Sequence, residues 1–431
     1  MIKNVLVTFC LIPFLSFSQN QEIATFVSYN LLNYRNETSF CTNSNNSPIA
    51  KEGYFETIFS HVKPDLIACN ELGANPTNAV KILDRCLNVN GETKFEMASF
   101  SSSSGSNLAN AFFYNGDMFA MHSSDKIIND VGGSPIVRLI DVFKLYYKDA
   151  NLQSGADTTF LTVFVGHLKA GNTSSDRAKR ASATEAIMNY IDVNNVSGNY
   201  IFSGDFNVYF DSEIAFQQLI NPANLDHRFV DPINRLGSWN NNSSFAEVHT
   251  QSTHSTSNGC ASGGGLDDRF DFILMSADMK NNTDHMEYVN NSYQALANDG
   301  NHFNSSINNP ANTSVPANVL NAIYNGSDHL PVVMDVIITE ATPNNVVAAT
   351  NFNTVIKFVS PSNNVIRGRI IKGQGLLNIK VYDITGKLLK ETRLNGASGD
   401  FFTIPVNASG LLFIDVQDEF GFRNIYKVIQ N

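Results

Sequence analysis

The sequence predicts a layered α/β domain followed by a small all-β sandwich. Between residues 23 and 71, a strand-like run, a helix-periodic run and a second strand-like run follow one another, which is the order typical of a layered α/β domain. Beyond residue 355, short strand-like runs recur at even spacing between turn residues, as in a β-sandwich. With 43% hydrophobic and 16% charged residues, the chain has the composition of an ordinary globular protein.

Residues 1–19 have the pattern of a secretory signal peptide and lie outside the predicted fold. Lys3 supplies a positive start, residues 5–17 form an almost unbroken apolar run, and residues 16–19 include small side chains suited to cleavage. The run is too short to span a bilayer, and Phe9 before Cys10 does not fit a lipoprotein cleavage site. We therefore expect a protein that is secreted or held at the cell surface after export through the periplasm, with no transmembrane segment.

The first domain is predicted to alternate strands with two helices and several loops. Apolar residues recur at helical spacing from Tyr54 to Val62, and Pro64 ends this helix. A second helix is expected over residues 176–191, whereas the Asn-rich and Ser-rich segments 239–265 and 281–325 are expected to be loops. The runs with strand character are 23–30, 65–71, 110–114, 136–147, 159–165, 200–202, 271–276 and 332–338.

The run from Tyr200 to Asn207 has the pattern of a buried strand that ends in polar side chains. Gly204 lets the backbone approach a neighbouring chain closely, just before two polar side chains emerge. Asp205 and Asn207 are two residues apart, so an extended chain points both side chains the same way. By itself this stretch fits a simple Asx turn equally well, since Asp and Asn are common turn residues.

Other strands of the first domain end in the same manner. Loops at the edge of a rigid sheet are where proteins usually hold functional groups, so the shared placement predicts one site. The polar residues at strand ends are Asn30, Glu71, His167, Asp205 with Asn207, and Asp328 with His329, while Asp271 stands at the start of a strand.

Charge excludes a broad basic surface for nucleic acid. The chain has 29 basic and 40 acidic residues, giving a formal net charge of −11. An anionic substrate must therefore be met locally, most simply by a bound divalent cation. Lys169, Arg177 and Arg180 could follow a phosphate backbone, although charged residues near the start of a helix, such as Lys179, are more often just solvated.

Four cysteines follow the predicted signal peptide: Cys41, Cys69, Cys86 and Cys260. In an oxidising compartment they permit two disulfides in three connectivities. Cys69 lies within a strand-like run and is expected to be a buried thiol. No pair has the spacing of a zinc site.

The motifs of the first domain resemble those of the metal-dependent endonuclease/exonuclease/phosphatase superfamily, and the resemblance covers roughly residues 22–340. It implies a four-layer sandwich of two mostly antiparallel sheets flanked by helices. The matching residues occur in family order and are Tyr29-Asn30-Leu31, Asn70-Glu71, Gly166-His167-Leu168, Gly204-Asp205-Phe206-Asn207, Asp271 and Ser327-Asp328-His329.

The resemblance assigns a metal ion chiefly to Glu71, with Asn30 and Asp328 nearby. These residue types fit that assignment, because carboxylate and amide oxygens are ligands that Mg²⁺ accepts while keeping several waters. Mg²⁺ is the expected cofactor, with Mn²⁺ and Ca²⁺ as alternatives.

The remaining site residues are expected to act on the phosphoryl group and the attacking water. His329 is the expected general base or phosphate-orienting group, with Asp271 as its carboxylate partner. Asp205 would orient the water, and Asn207 and His167 would donate hydrogen bonds to the scissile phosphate. In part of the superfamily the histidine matching His167 is a general acid, so the division of labour between the two histidines stays open.

The C-terminal domain resembles the sorting domain of the type IX secretion system of Bacteroidetes. The resemblance rests on the run from Lys380 to Lys387, on Gly410 before a strand, and on a terminal strand at residues 426–429. Ser360-Pro361-Ser362 departs from the usual Tyr-Pro-Asn-Pro at its start. The predicted organisation is thus a catalytic domain over residues 20–340, a linker at 341–355 and an export domain at 356–431.

The preferred function is an extracellular endonuclease that hydrolyses DNA, with RNA as an alternative substrate. The segment from Thr250 through Gly265 into Asp267-Asp268-Arg269 resembles one in bacterial extracellular nucleases. The expected partners are nucleic acid and the type IX secretion machinery, and a monomer is expected. A sphingomyelinase-type or inositol phosphate phosphodiesterase is the first alternative, since one site of this kind serves many substrates. An inactive surface-binding module is the second.

Overall fold

The computed structural model describes residues 20–103, 105–342, 355–359, 365–372, 374–418 and 423–430. The described residues divide into two compact units: the first comprises those up to residue 152 and residues 158–342, and the second comprises residues 153–157 and those beyond 342. The predicted signal peptide at 1–19 and most of the predicted linker at 341–355 lie outside the described residues. Within the described ranges, no helix combines the length and apolar character needed to cross a membrane.

The first unit begins with a long strand and ends with another that pairs with it. Its strands are β1 (Gln21–Tyr34), β2 (Leu66–Gly73), β3 (Phe95–Met97), β4 (Leu108–Asn115), β5 (Phe119–Asn129), β6 (Pro135–Tyr147), β7 (Phe160–His167), β8 (Asn199–Asp205), β9 (Phe229–Val230), β10 (Asp271–Ser276), β11 (Met286–Tyr288), β12 (Gln294–Ala295) and β13 (Val332–Thr339). Its α-helices are α1 (Pro48–Val62), α2 (Pro76–Ile82), α3 (Ser174–Asn194), α4 (Ile214–Ile220), α5 (Ala277–Asn281) and α6 (Ala317–Gly326).

Two sheets form the first unit, and each is built around one parallel pair. The first sheet has the order β11-β13-β1-β2-β4-β3, with β12 also paired to β13, and the second has the order β5-β6-β7-β8-β10-β9. The pairs β1–β2 and β7–β8 are parallel, and the other paired neighbours are antiparallel. Both sheets are therefore mostly antiparallel.

The two sheets pack face to face, and helices cover their outer faces. Phe112 of the first sheet stacks on Phe143 of the second, with ring centroids 5.2 Å apart. On the outer face of the first sheet, α1 and α6 bury Phe55 and Ile323. On the outer face of the second, α3 and α4 contribute residues such as Ile187 to a separate cluster. The predicted four-layer α/β sandwich is confirmed.

Helix α6 was not predicted, because residues 281–325 were expected to be a loop. The Asn-rich flanks of this segment conceal a short apolar face formed by Val319, Leu320 and Ile323, all of which are buried. This face packs in the same cluster as Phe55 and Ile58 of α1. A ten-residue helix of this kind is stabilised by tertiary packing more than by its own propensity, so its local signal is weak.

The second unit is the predicted all-β sandwich. Its strands are β14 (Val355–Val359), β15 (Val365–Lys372), β16 (Gln374–Asp383), β17 (Leu388–Ala397), β18 (Phe401–Pro405), β19 (Gly410–Asp418) and β20 (Arg423–Gln430). They form a three-stranded sheet, β14-β15-β18, and a four-stranded sheet, β17-β16-β19-β20. Ile366, Ile379 and Ile414 are fully buried in the core that the two sheets share.

Cys41 and Cys260 form a disulfide, whereas Cys69 and Cys86 are buried free thiols. Cys69 thus has the state expected from its place in a strand. Burial raises the pKa of the Cys69 and Cys86 thiols far above their ordinary value, so neither is a nucleophile at neutral pH.

Candidate active site

The polar strand ends meet at one edge of the two sheets. The registers pair Asn30 with Asn70, His167 with Asp205, and Asp205 with Asp271. The parallel pairs bring β1 beside β2 and β7 beside β8 so that their carboxyl ends coincide. Strand β10 begins at this edge because it runs antiparallel to β8.

Gly204 allows β8 to reach this edge beside β7. Its φ is +142°, and a Cβ atom added there would lie 1.8 Å from the Gly166 carbonyl oxygen and 3.0 Å from Oδ1 of Asn70. A glycine is therefore required one residue before Asp205. Asn207 follows with a left-handed φ of 53°, which bends the chain away from the strand.

Asp205 lies at the centre of the site and is 2% exposed. Its Oδ1 accepts hydrogen bonds from the backbone N–H and the side-chain amide of Asn207, at 3.0 and 2.8 Å. Its Oδ2 accepts one from Nδ2 of Asn30 at 3.0 Å. The pKa of Asp205 is raised to about 7, chiefly by burial; the charge of His329 opposes this rise, and the nearby carboxylates of Asp271 and Glu71 add to it.

His329 and Asp271 form a buried imidazole–carboxylate pair. Nδ1 of His329 lies 2.7 Å from Oδ2 of Asp271. The other ring nitrogen, Nε2, faces the site, at 2.7 Å from Nε2 of Gln251, 3.4 Å from Nδ2 of Asn30 and 3.8 Å from Oδ2 of Asp205. Burial alone would lower the pKa of His329, but the carboxylates of Asp271, Asp205 and Asp328 together outweigh it and raise the pKa well above its ordinary value.

Glu71 and His167 stand on the other side of Asp205. Glu71 has a left-handed φ of 62°, and its Oε2 accepts a hydrogen bond of 3.0 Å from the Asn33 backbone N–H. Nε2 of His167 lies 3.8 Å from Oε1 of Glu71 and 3.5 Å from Oδ2 of Asp205. Burial, together with the charges of Arg138 and His329, lowers the pKa of His167 well below its ordinary value. His167 is therefore a neutral imidazole at physiological pH.

Asn30 and Asp328, the other two predicted metal ligands, are held by hydrogen bonds to their neighbours. Asn30 turns its amide nitrogen toward Asp205, while its Oδ1 accepts the Leu32 backbone N–H at 2.9 Å. Oδ2 of Asp328 accepts the Ser262 N–H at 2.8 Å, and its Oδ1 is buried without a hydrogen-bond partner. Their roles as metal ligands stay predictions, while Asp205 is the carboxylate whose ligand atoms lie close to those of Glu71.

The donor set fits a small divalent cation. Two groups of side chains have ligand atoms within 4.8 Å of one another: Glu71, His167 and Asp205, and Asp205, Asp271 and His329. Oδ1 of Asp271 is also buried without a hydrogen-bond partner. Hard carboxylate oxygens held this close repel one another, and a cation such as Mg²⁺ relieves that repulsion. Glu71 and Asp205 are the residues best placed to hold it.

Three further residues lie at the site and were not among the site residues predicted from the sequence. Arg138 of β6 donates to the Leu168 carbonyl at 2.9 Å and interacts electrostatically with Glu71 and Asp205. Gln251 contacts both His329 and Asp328. Arg138 lies in mid-strand and Gln251 in a loop, so only the folded arrangement reveals them.

Lys51 is the third, an almost fully buried lysine on α1. Its ammonium donates to the carbonyls of Leu31 and Leu32 at 2.8 and 2.6 Å, just after Asn30 in the chain. Burial lowers the pKa of Lys51 to about 7, although the charges of Asp328 and Glu71 oppose the shift. Its apolar stem satisfies the helix pattern, which hides it in the sequence.

A chain of buried polar side chains joins the two sheets behind the site. Oδ1 of Asn70 faces the backbone N–H of Asp205 at 3.3 Å, and Nδ2 of Asn70 donates to Oδ1 of Asn110 at 2.8 Å. Asn110 in turn donates to Oδ2 of Asp141 at 3.0 Å. These hydrogen bonds fix the position of Asp205 relative to the first sheet.

The basic residues near α3 are engaged within the protein. Arg180 is fully buried and donates twice to Oε2 of Glu213, at 2.9 and 2.7 Å. Lys169 pairs with Asp176 at 3.0 Å, and Arg177 donates to Asn172. The expectation that Arg180 is solvated or follows a phosphate backbone is wrong, because its guanidinium anchors α3 to the start of α4.

No protein-family model matches the chain, and no curated protein matches it either. Among solved structures, the chain is similar to the catalytic domain of human Nocturnin, with 12% identity, coverage of 74% of this chain and 98% of that domain, and a TM-score of 0.45. It is also similar to an endonuclease/exonuclease/phosphatase from Bacteroides vulgatus, with 14% identity, coverage of 73% and 98%, and a TM-score of 0.45.

A third similar structure is D. rerio TDP2 complexed with single strand DNA product, with 13% identity, coverage of 73% of this chain and 98% of that chain, and a TM-score of 0.42. Identities and scores this low assign no activity to the chain. Its function has to be argued from the residues of its own site.

Proposed function

We propose that this chain is a divalent-metal-dependent phosphodiesterase of the endonuclease/exonuclease/phosphatase superfamily that hydrolyses DNA. The observation that supports this most is the arrangement around Asp205, which has the His329–Asp271 pair on one side and Glu71 on the other. Phosphodiester hydrolysis needs a proton acceptor or donor, charge neutralisation and an oriented water in one place. The site holds residue types for each of these tasks.

Each side chain has a role that follows from its contacts. Asp271 holds His329 with Nε2 directed into the site, where the protonated ring donates a hydrogen bond to the phosphoryl group. Asp205 accepts a hydrogen bond from that water, and Asn207 fixes the orientation of the Asp205 carboxylate. Neutral His167 donates a hydrogen bond to a phosphoryl oxygen, and Arg138 adds positive charge nearby.

Glu71 and Asp205 would hold the divalent cation. When bound, that cation neutralises charge on the phosphoryl oxygens and lowers the pKa of water. Mg²⁺ suits the oxygen ligands, and Mn²⁺ would also accept the nitrogen of His167.

The proposals of secretion and of a DNA substrate rest on features of the sequence. The apolar leader at residues 1–19 and the motifs of the C-terminal unit support export through the periplasm and the type IX route. The segment between Thr250 and Arg269 resembles one in extracellular nucleases, and Gln251 within it contacts His329. DNA is accordingly the proposed substrate, and RNA is the second to test.

The test compares substrates with and without metal. Mature protein is incubated with plasmid DNA, RNA, sphingomyelin and inositol phosphates in Mg²⁺ or in chelator, beside Asp205→Ala and His329→Ala. His227→Ala is a matched control, since His227 pairs with Asp192 near the surface and away from the site. We expect Mg²⁺-dependent nicking of plasmid DNA by the wild type and by His227→Ala, with a loss of roughly 100-fold or more in the two site variants.

Two results would contradict the proposal in different ways. Nicking that persists in chelator, or in both site variants, would overturn the metal-dependent mechanism. Hydrolysis of sphingomyelin or inositol phosphates without hydrolysis of DNA or RNA would overturn the substrate.

A further inference from the structure

A polar cleft of about 220 Å³ opens beside Glu71, between the end of β1 and the start of α1. Its lining is dominated by asparagine, and it is separate from the residues that surround Asp205. The asparagines that line it are Asn33, Asn36, Asn43, Asn46 and Asn78.

Asn33 joins the cleft directly to the proposed metal ligand. Its backbone N–H donates to Oε2 of Glu71 at 3.0 Å, and its side-chain amide lies 3.4 Å from the same oxygen. On the cleft side, Oδ1 of Asn33 accepts a hydrogen bond of 2.7 Å from Asn36. Asn33 therefore lies between a group bound in the cleft and Glu71, which would help to hold the phosphate.

The walls of the cleft are fixed before any ligand binds. Nδ2 of Asn46 donates to the carbonyls of Leu32 and Asn33, at 3.1 Å each. Cys41, which lines the cleft, is tied by its disulfide to Cys260 on a separate loop. A pre-formed cleft loses little entropy on binding, which is what a specific subsite needs.

The charges of the cleft do not favour a second phosphate. Arg35 lines it, but its guanidinium donates to the Glu52 carboxylate and to the hydroxyl of Tyr34. Glu37 adds a negative charge to the lining. The Nδ2 groups of four lining asparagines, Asn33, Asn36, Asn46 and Asn78, already donate within the protein, so the lining offers mainly amide oxygens. Amide oxygens match an uncharged group that donates hydrogen bonds.

We propose that this cleft is a subsite for the nucleoside next to the scissile phosphate, with asparagine amide oxygens accepting hydrogen bonds from its base. The inference rests on the proposed function, because it assumes that a phosphodiester is cleaved beside Glu71. The Phe40 ring, 72% exposed and adjacent in sequence to Cys41, offers a surface on which a base can stack. An inositol polyphosphate, with charge around its whole ring, is a poor fit to the same lining.

The experiment compares two small phosphodiesters, one with a nucleoside and one without. Bis(p-nitrophenyl) phosphate has no sugar or base, whereas the p-nitrophenyl esters of thymidine 5′- and 3′-monophosphate have both. The measured quantity is the ratio of kcat/KM for the better nucleotide ester to kcat/KM for the bis-ester, in Mg²⁺, with the full mature chain. We expect a ratio of at least tenfold for the wild type.

The variants fill or trim the cleft from its exposed rim. Asn43→Trp places a large ring there, and we expect the ratio to fall at least tenfold, mainly through KM for the nucleotide ester. Asn43→Ala is the milder variant, with an expected fall of two- to threefold. Asn129→Trp, an exposed asparagine on β5, is the matched control and should keep the wild-type ratio.

The outcomes separate this inference from the proposed function. A wild-type ratio near one, or an unchanged ratio in Asn43→Trp with a wild-type Tm, overturns the subsite while leaving the phosphodiesterase intact. If Asn43→Trp does not fold, Asn43→Ala decides in the same way. Wild-type protein that hydrolyses neither ester nor plasmid DNA in Mg²⁺ overturns both.

Discussion

At the scale of single residues, the site is a set of buried polar groups whose contacts decide their protonation. Asp205 has a pKa raised to about 7 by burial, while the Asp271 carboxylate raises the pKa of His329. A proton shared between such groups is mobile near neutral pH, which suits acid–base chemistry. The roles of these residues in the reaction stay predictions until they are tested.

Asp271→Asn tests the imidazole–carboxylate pair. An amide in place of the carboxylate removes the charge that orients His329 and raises its pKa, so we expect kcat for plasmid nicking to fall roughly 100-fold or more. KM should change little, because Asp271 does not reach the substrate. Asp192→Asn, beside the near-surface His227, is the control, and equal losses in both variants would contradict the assigned role.

Asp141→Asn tests a buried carboxyl away from the proposed metal ligands. Burial raises the pKa of Asp141 from 3.8 to about 7, so the folded chain holds a proton that the unfolded chain releases. Wild-type stability should therefore fall as pH rises between about 4 and 7, by an amount on the order of a few kcal/mol. The variant lacks this titration and still offers an oxygen to Asn110.

The difference in Tm between Asp141→Asn and wild type should accordingly grow in favour of the variant from pH 5 to pH 8. Thermal unfolding in buffers without divalent ions measures it. Asp117→Asn, at an exposed turn, is the control for the loss of one carboxylate. A constant difference for Asp141→Asn as well would refute the buried titration.

At the scale of elements, the site depends on how strands end. Glu71, at an irregularity near the end of β2, and Asn207, just beyond β8, both have left-handed backbone conformations. Such conformations cost energy in non-glycine residues and persist where surrounding contacts hold them. Here Asn33 holds Glu71 and the Asp205 carboxylate holds Asn207.

Gly204→Ala tests the close approach of β8 to β7. The new methyl group would meet the Gly166 carbonyl at 1.8 Å and the backbone would stay at an unfavourable φ, so we expect destabilisation of roughly 2–4 kcal/mol or failure to fold. Gly53→Ala in α1 is the control, because a Cβ there meets nothing within 4 Å. It should be neutral or stabilise by up to about 1 kcal/mol. Chemical denaturation of both variants gives the comparison.

At the scale of the whole molecule, two similar sheets place their parallel pairs face to face. Strands β1 and β2 of the first sheet and β7 and β8 of the second deliver residues far apart in sequence to one edge. The Asn70–Asn110–Asp141 chain then ties the sheets together behind that edge. Binding at the site is thus coupled to the stability of the entire first unit.

Divalent cation should therefore stabilise the first unit against unfolding. A ligand at 100 times its Kd that binds only the folded state adds about 2.7 kcal/mol, so Mg²⁺ or Mn²⁺ should raise Tm by several degrees. Glu71→Gln should abolish most of this rise, and Glu185→Gln, on the exposed face of α3, should preserve it. A rise that survives Glu71→Gln would place the cation elsewhere, and thermal scans at increasing metal concentration make the measurement.

The fold followed from the sequence where signals are local. Buried strands such as β7 and β8 are apolar runs of β-branched and aromatic residues, and α1 has clear apolar spacing followed by Pro64. Helix α6 was not predicted from the sequence, because its stability comes from packing on α1. Strand β5 was not predicted either, because it is a largely exposed edge strand with little apolar alternation.

The sequence by itself determined a layered α/β domain and the residues that gather at one edge, because strand ends are visible along the chain. The four-layer sandwich was implied by the resemblance of its motifs to a known superfamily. Only the tertiary structure decided which carboxylate stands with Glu71, that Arg180 is buried with Glu213, and that Arg138, Gln251 and Lys51 surround the site. These facts depend on side-chain direction and on contacts between distant segments. The periodicity of a sequence predicts which face of a helix or strand a residue occupies, but it does not predict which atoms that residue contacts.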